Sequence, residues 1–261
     1  MRQYYQLATT LFLLLPQNSW SFSPRPHLSA ASVETTTQQQ QHDEKGRAMV
    51  VATDNKTNNN VLTFSFPHHK TSSTAWKSLI PLIPRERGCD VSIEWSLPQE
   101  GSRRLLQHLF PSSSIVVNQL QPFLEESFST FSSLTGGGKK FKARIVATRG
   151  SRGQKCPRWH VDHVPLRWIQ SFVGPGCDYV LGSAGINWDA INDLDDLEEN
   201  DANSKLVDTD IACIVHAPPL QGVVLWGSEN NNGLSPAVHK SPSLGVLEGR
   251  VLLTLDVLPD E

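Results

Sequence analysis

The chain has 261 residues, 38% of them hydrophobic, and a formal net charge of −3. That length accommodates one domain with extensions, and the charge argues against the broad basic surface of a nucleic-acid-binding protein. The four cysteines, Cys89, Cys156, Cys177 and Cys213, are widely spaced with no C-x-x-C pair. This spacing argues against a structural zinc knuckle and against a disulfide framework.

The N-terminus reads as an address. Arg2 precedes the apolar run "LATTLFLLLP", which is too short to span a bilayer comfortably. Ser19 and Ser21 then fit the minus-three and minus-one positions of a signal-peptidase site, making residues 1–21 signal peptide-like. Cleavage after Ser21 exposes Phe22, followed by "SPRPHLSAAS", which lacks acids and is rich in Ser, Arg and Pro. Together these resemble the bipartite plastid presequence of algae with secondary plastids. Plain secretion is the alternative, with Asn55 of "NKT" as a glycosylation acceptor. In either case the mature form carries no membrane segment.

Residues 22–60, with "TTTQQQQ" and "TDNKTNNN", hold too few apolar groups to offset ordering entropy and read as a transit-like, disordered linker. A single domain follows over 61–261. Its first part, 61–140, reads as a helical flank. "VLTFSF" (61–66) is a strand by its alternation, and any helix in "TAWKSLIPLIP" is short because Pro81 and Pro84 interrupt it. "GSRRLLQHLF" and "QPFLEESFSTFSSL" carry apolar residues at three- and four-residue spacing and predict helices; "TGGGKK" predicts a turn.

From residue 141 the hydrophobic period falls to two. The predicted strands are "FKARIVAT", "RWHVDHV", "LRWIQSFV", "DYVLG", "IACIVHA", "GVVLWGS", "AVHKS" and "RVLLTLDVL". Gly174–Pro175–Gly176 separates two of them as a turn. The acidic stretch between Asn187 and Asp210 lacks the D-x-D-x-D-G spacing of a calcium loop and reads as a solvated loop or short exposed helix. About eight strands after two helices predict a mainly β (α+β) fold, a sandwich over 141–258 with a helical N-terminal flank.

The chemistry gathers in "CPRWHVDHVPLRW". Side chains alternate along a strand, so His160 and Asp162 face the same way and can converge on one ion. Two histidines and one carboxylate on one face of a metal are the ligand set of non-haem Fe(II) oxygenases. His239 in "PAVHKSP" can supply the second imidazole, just after the strand "GVVLWGS". Arg250 opens the last strand, 11 residues later. A guanidinium there could grip a carboxylate as a bidentate fork. Catalytic zinc also suits two histidines and a carboxylate.

This layout, H-x-D, then a distant His, then an Arg about ten positions on, resembles the iron- and 2-oxoglutarate-dependent dioxygenases. The Gly-led apolar strand Gly222 to Gly227 ahead of His239 strengthens the match. The resemblance implies a double-stranded β-helix, a jelly-roll-type sandwich. It also implies Fe(II) at His160, Asp162 and His239, and 2-oxoglutarate anchored by Arg250. Many dioxygenases place a hydroxyl residue two after the Arg. Here Leu252 stands there and Thr254 comes two further on, while Lys240 or Arg167 could supply the cation instead. The same segments resemble a domain-of-unknown-function family of bacteria and algae, with C-P-x-x-H-x-D-x-V-x-x-R, a G-P-G turn and H-[RK]-S-P.

The other candidates read as structural. His163 faces away from His160 by alternation; Cys156 is a buried structural cysteine or a thiolate ligand; His216 ends a strand near the site. His68 and His69 adjoin Pro67 in a loop. Trp159, Trp168 and Trp226 read as core or pocket wall, and Arg167 as a structural ion pair unless Pro165 resets its register. No nucleotide-binding or triad-hydrolase motif is in place. The leading expectation is therefore an Fe(II)/2-oxoglutarate oxygenase acting on a small-molecule or unknown substrate. A zinc-binding cupin-like hydrolase or metal-handling protein, and a non-catalytic binding domain, are the alternatives. Specificity would reside in the helical flank and the 182–210 loop.

Overall fold

The computed structural model describes residues 49–51, 60–66, 76–77, 89–149, 156–191, 198–231, 233–245 and 248–258. The address over 1–21, the linker up to residue 48, Asn55, His68, His69 and most of the Pro-interrupted segment lie outside the described residues. No described helix is long and apolar enough to cross a membrane.

The protein is mainly β, a sandwich of two antiparallel sheets. The large sheet has the order β1-β2-β8-β5-β10-β4-β3. Its members are β1 (Met49–Val51), β2 (Val61–Ser65), β3 (Cys89–Trp95), β4 (Phe141–Arg149), β5 (Leu166–Val173), β8 (Gly222–Trp226) and β10 (Gly249–Val257). The small sheet runs β7-β6-β9, with β6 (Asp178–Leu181), β7 (Cys213–His216) and β9 (His239–Lys240). After β4 and β5 the chain crosses to the small sheet for β6 and β7. It returns for β8, crosses again for β9 and ends in β10. This alternation between layers is the double-stranded β-helix pattern.

Strand β10 shows how the two faces divide. Val251, Leu253, Leu255 and Val257 point into the larger core. There they meet helices α1 (Pro98–Leu109) and α2 (Ser114–Leu134), which cover that face of the sheet. Arg250, Leu252, Thr254 and Asp256 alternate with them and so face the small sheet. Aromatic contacts bind the helical layer to the sheet: Trp95 lies 4.4 Å, between ring centroids, from both Phe128 and Phe141. Ser127 of α2 donates a buried 2.6 Å hydrogen bond to Gln170 Oε1 of β5.

Several elements differ from their sequence expectation. Helix α2 begins seven residues before Gln121, because Val116, Val117 and Leu120 are buried against the core. Pro122 reads as a helix start, yet packing of the preceding turns keeps them helical around it. Strand β3, "CDVSIEW", alternates strictly and pairs along β4 as the sheet edge. Within the expected linker, Met49–Val51 pairs with β2. The strand expected over "RWHVDHV" reduces to one bridge, His160 with His239, and regular pairing starts only at Leu166. A helix, α3 (Glu199–Leu206), follows in the acidic stretch.

Candidate metal centre

His160 and His239 face each other across their bridge. His160 N–H donates to His239 O at 3.0 Å, and His239 N–H donates to His160 O at 2.9 Å. Their ring centroids lie 4.3 Å apart. Each Nδ1 is hydrogen-bonded to a backbone carbonyl, that of Arg158 at 2.8 Å and that of Ala237 at 3.2 Å. A carbonyl only accepts, so in the neutral ring Nδ1 carries the proton and Nε2 is left with a lone pair.

Both Nε2 atoms lie beside the Asp162 carboxylate. His239 Nε2 lies 3.1 Å from Oδ2, and His160 Nε2 lies 3.8 Å from Oδ1. Oδ2 is buried without a hydrogen-bond donor, whereas Arg167 holds Oδ1 at 2.5 Å. A separation of 3.1 Å matches two ligands set at about a right angle around an ion ~2.1 Å from each. One ligand atom from each of His160, Asp162 and His239 lies within 4.8 Å of the others. Burial, then the neighbouring His239 imidazole, pulls the His160 pKa down to about 4. Burial alone would raise the Asp162 carboxyl, but His239 and Arg167 outweigh it and hold it at about 2. A neutral imidazole and an ionised carboxylate are the protonation states that bind a divalent ion. The orphaned Oδ2 beside two imidazole Nε2 atoms fits such an ion.

Asp162 is fixed from two further directions. Its backbone carbonyl accepts from Ser228 N–H at 2.8 Å, where the end of β8 passes close to residues 162–164. Gly227 permits that approach: a Cβ there would stand 2.7 Å from the Asp162 carbonyl oxygen and overlap that of Val164. Arg167 reaches Asp162 because residues 161–165 are irregular and strict alternation does not apply to them. Its other N–H groups form a bidentate pair with Asp256, at 2.6 and 2.9 Å.

Arg250 is 2% exposed. It donates to Pro175 O, Gly176 O and Ser241 Oγ at 3.1, 3.1 and 3.0 Å. Burial pulls its pKa below the ordinary value, and among the described residues no carboxylate forms an ion pair with it. Three bonds leave part of its five-donor fork unused. The G-P-G segment is thus more than a turn: Gly174, at φ +75°, directs the next two carbonyls onto this guanidinium. Ser241, two residues after His239, holds it from the small sheet.

The remaining candidates are dispersed. The Lys240 ammonium lies 4.8 Å from the Trp159 ring centroid, on the opposite face of β9 from His239. Thr254 is half-buried on β10 between Leu252 and Asp256. His163 contacts Ser228 Oγ at 3.0 Å, and His216 pairs with Asp178 at 2.7 Å; neither joins the cluster. The expected burial of Cys156 is not observed: its side is exposed, and its carbonyl accepts from Ser241 N–H at 2.7 Å. Trp159 and Trp168 are core residues, and Trp226 packs at the core's margin. Sequence reasoning missed Ser241, Asp256 and Ser228. Ser241 stood within the H-K-S-P signature, but only folding pairs Asp256 with Arg167, 89 residues away.

The fold and site thus define a double-stranded β-sandwich with a two-histidine, one-carboxylate cluster between its sheets. The chain belongs to the family described as "Protein of unknown function (DUF1826)", whose model matches residues 125–256, just over half of the sequence. No curated protein is significantly similar to it. Among solved structures it is similar to a dioxygenase for auxin oxidation from rice (12% identity, 78% of this chain and 75% of that one, TM-score 0.49). It is also similar to dioxygenase for auxin oxidation 1 from Arabidopsis thaliana in complex with 2-oxoglutarate (9%, 77% and 84%, 0.45). A third is a prolyl-4-hydroxylase from Pseudomonas putida (8%, 78% and 94%, 0.35).

Proposed function

We propose that this protein is a non-haem Fe(II)- and 2-oxoglutarate-dependent oxygenase. His160, Asp162 and His239 would hold the metal through the two Nε2 atoms and Oδ2. Bound iron would supply oxygen activation, which no protein side chain provides. The protein's own residues do the positioning. Backbone carbonyls keep both imidazoles in the ligating tautomer. Arg167 restrains the second carboxylate oxygen. Arg250, buried and without a carboxylate partner among the described residues, would receive the distal carboxylate of 2-oxoglutarate through its spare N–H groups.

The observation that carries this reading is the convergence of two imidazole Nε2 atoms on a buried carboxylate whose Oδ2 has no hydrogen-bond donor. Anaerobic titration with Fe(II) and then 2-oxoglutarate tests it. We expect one ion per chain and a weak visible charge-transfer band. His239→Ala should abolish both, whereas Arg250→Met should keep the ion and lose the band. Metal-loaded, folded protein without the band would refute 2-oxoglutarate use and leave the zinc reading. Equal metal binding by the wild type and the His239→Ala variant would refute the site itself.

We further propose delivery to a plastid, supported by Ser19, Ser21 and the Phe22-led segment. A fluorescent fusion of residues 1–60 in an alga with secondary plastids tests this; secretion of the fusion would refute it.

A further inference from the structure

Helix α3 lies in the acidic stretch, which reads in sequence as a solvated loop or short exposed helix. Its buried face does something more specific. Ala202 and Leu206 belong to a small apolar cluster with Trp159, Val180 and Val238. Trp159 immediately precedes His160, and Val238 immediately precedes His239. The residues before both histidines therefore anchor in one cluster behind the site, and α3 closes that cluster.

The side chain of Asn203 extends this anchoring to the backbone. Its Oδ1 accepts from Trp159 N–H at 2.7 Å, and its Nδ2 donates to Pro157 O at 3.2 Å. Only one orientation of the carboxamide satisfies both bonds, because the amide can only donate and the carbonyl can only accept. Residues 156–160 have no continuous strand partner, so such bonds must hold them. Ser241 N–H takes the carbonyl of Cys156, Asn203 takes Pro157 O and Trp159 N–H, and His239 pairs with His160. Between the two groups gripped by Asn203 lies the Arg158 carbonyl, which fixes the His160 tautomer and ring.

We propose that Asn203 is a positioning residue for His160. By bridging Pro157 and Trp159 it holds the Arg158 carbonyl against Nδ1 and so keeps Nε2 beside the Asp162 carboxylate. This rests on the reading that His160, Asp162 and His239 hold a divalent ion. The consequence is that part of the metal affinity is set by the acidic helix, and Asn203 touches neither the ion nor a ligand side chain. Partners of this kind typically contribute 10–100-fold to metal affinity.

Anaerobic Co(II) titration of the full chain, followed by calorimetry and by the visible ligand-field spectrum, tests the proposal. Asn203→Ala should weaken Co(II) binding about 10–100-fold and change the band intensity, since His160 then samples other orientations. Asn203→Asp keeps the acceptor for Trp159 N–H and loses the donor to Pro157 O, so it should fall between wild type and Asn203→Ala. It is also the variant to use should the alanine protein not fold. Ser204→Ala, one residue along the same helix on its exposed side, should leave affinity and spectrum unchanged. A wild-type affinity and spectrum in folded Asn203→Ala or Asn203→Asp would overturn the positioning role while leaving the metal centre intact. Failure of wild-type protein to bind Co(II) would overturn the metal reading, and this proposal with it.

Discussion

Arg167 lies between two carboxylates, and removing it gives a prediction whose size follows from burial. Its guanidinium is 25% exposed and bonds Asp162 at 2.5 Å and Asp256 at 2.6 and 2.9 Å. In Arg167→Met the aliphatic stem is retained but both acids lose their cation. Breaking a buried ion pair costs about 3–5 kcal/mol, because the abandoned charge stays desolvated. Partial exposure puts Arg167 near the lower end, about 3 kcal/mol. For a domain of this size that corresponds to a fall of roughly 6–12 °C in Tm. Arg144 supplies the control. It makes the same bidentate geometry with Asp90, at 2.8 and 2.6 Å, but both side chains are more than 40% exposed. Solvent screening limits that pair to about 1 kcal/mol or less. Thermal unfolding of metal-free wild type, Arg167→Met and Arg144→Met, followed by circular dichroism, should therefore rank the two variants clearly. Equal shifts in Tm would refute the argument that burial, and not geometry, sets the value of these pairs.

Two further outcomes are expected. Ser127→Ala removes the buried 2.6 Å hydrogen bond to Gln170 Oε1, which should cost about 0.5–1.5 kcal/mol in chemical denaturation; an unchanged stability would refute that contribution. Burial pushes the Cys177 thiol up to about 12, so at pH 8 it stays protonated. Exposed Cys213 should then be alkylated by iodoacetamide long before Cys177 in folded protein, as peptide mass spectrometry would read; comparable labelling of the two would contradict the burial of Cys177.

The local pattern of the chain was sufficient for much of this. Period-two alternation in "RVLLTLDVL" already separates Leu253 and Leu255 from Arg250 and Asp256, because adjacent residues of a strand must face opposite ways. The grouping of His160, Asp162 and His239 was legible from their types and spacing, since few other side chains could offer an imidazole and a carboxylate to one ion. What the pattern misjudged was how His160 and Asp162 converge. They stand on no regular strand, and irregular backbone is held by bonds to distant partners, His239, Ser228 and Asn203, while Arg167 fixes the Asp162 carboxylate. Those partners come from β5, β8, β9 and α3, and local propensity carries no information about which elements will meet. Periodicity and residue type within single segments thus determined the faces of the sheets and the candidate residues of the cluster. Only the tertiary structure decided that the G-P-G carbonyls and Ser241 enclose Arg250, and that Asn203 of an acidic helix bonds Pro157 and Trp159 beside His160. Both depend on contacts between parts of the chain that lie tens of residues apart.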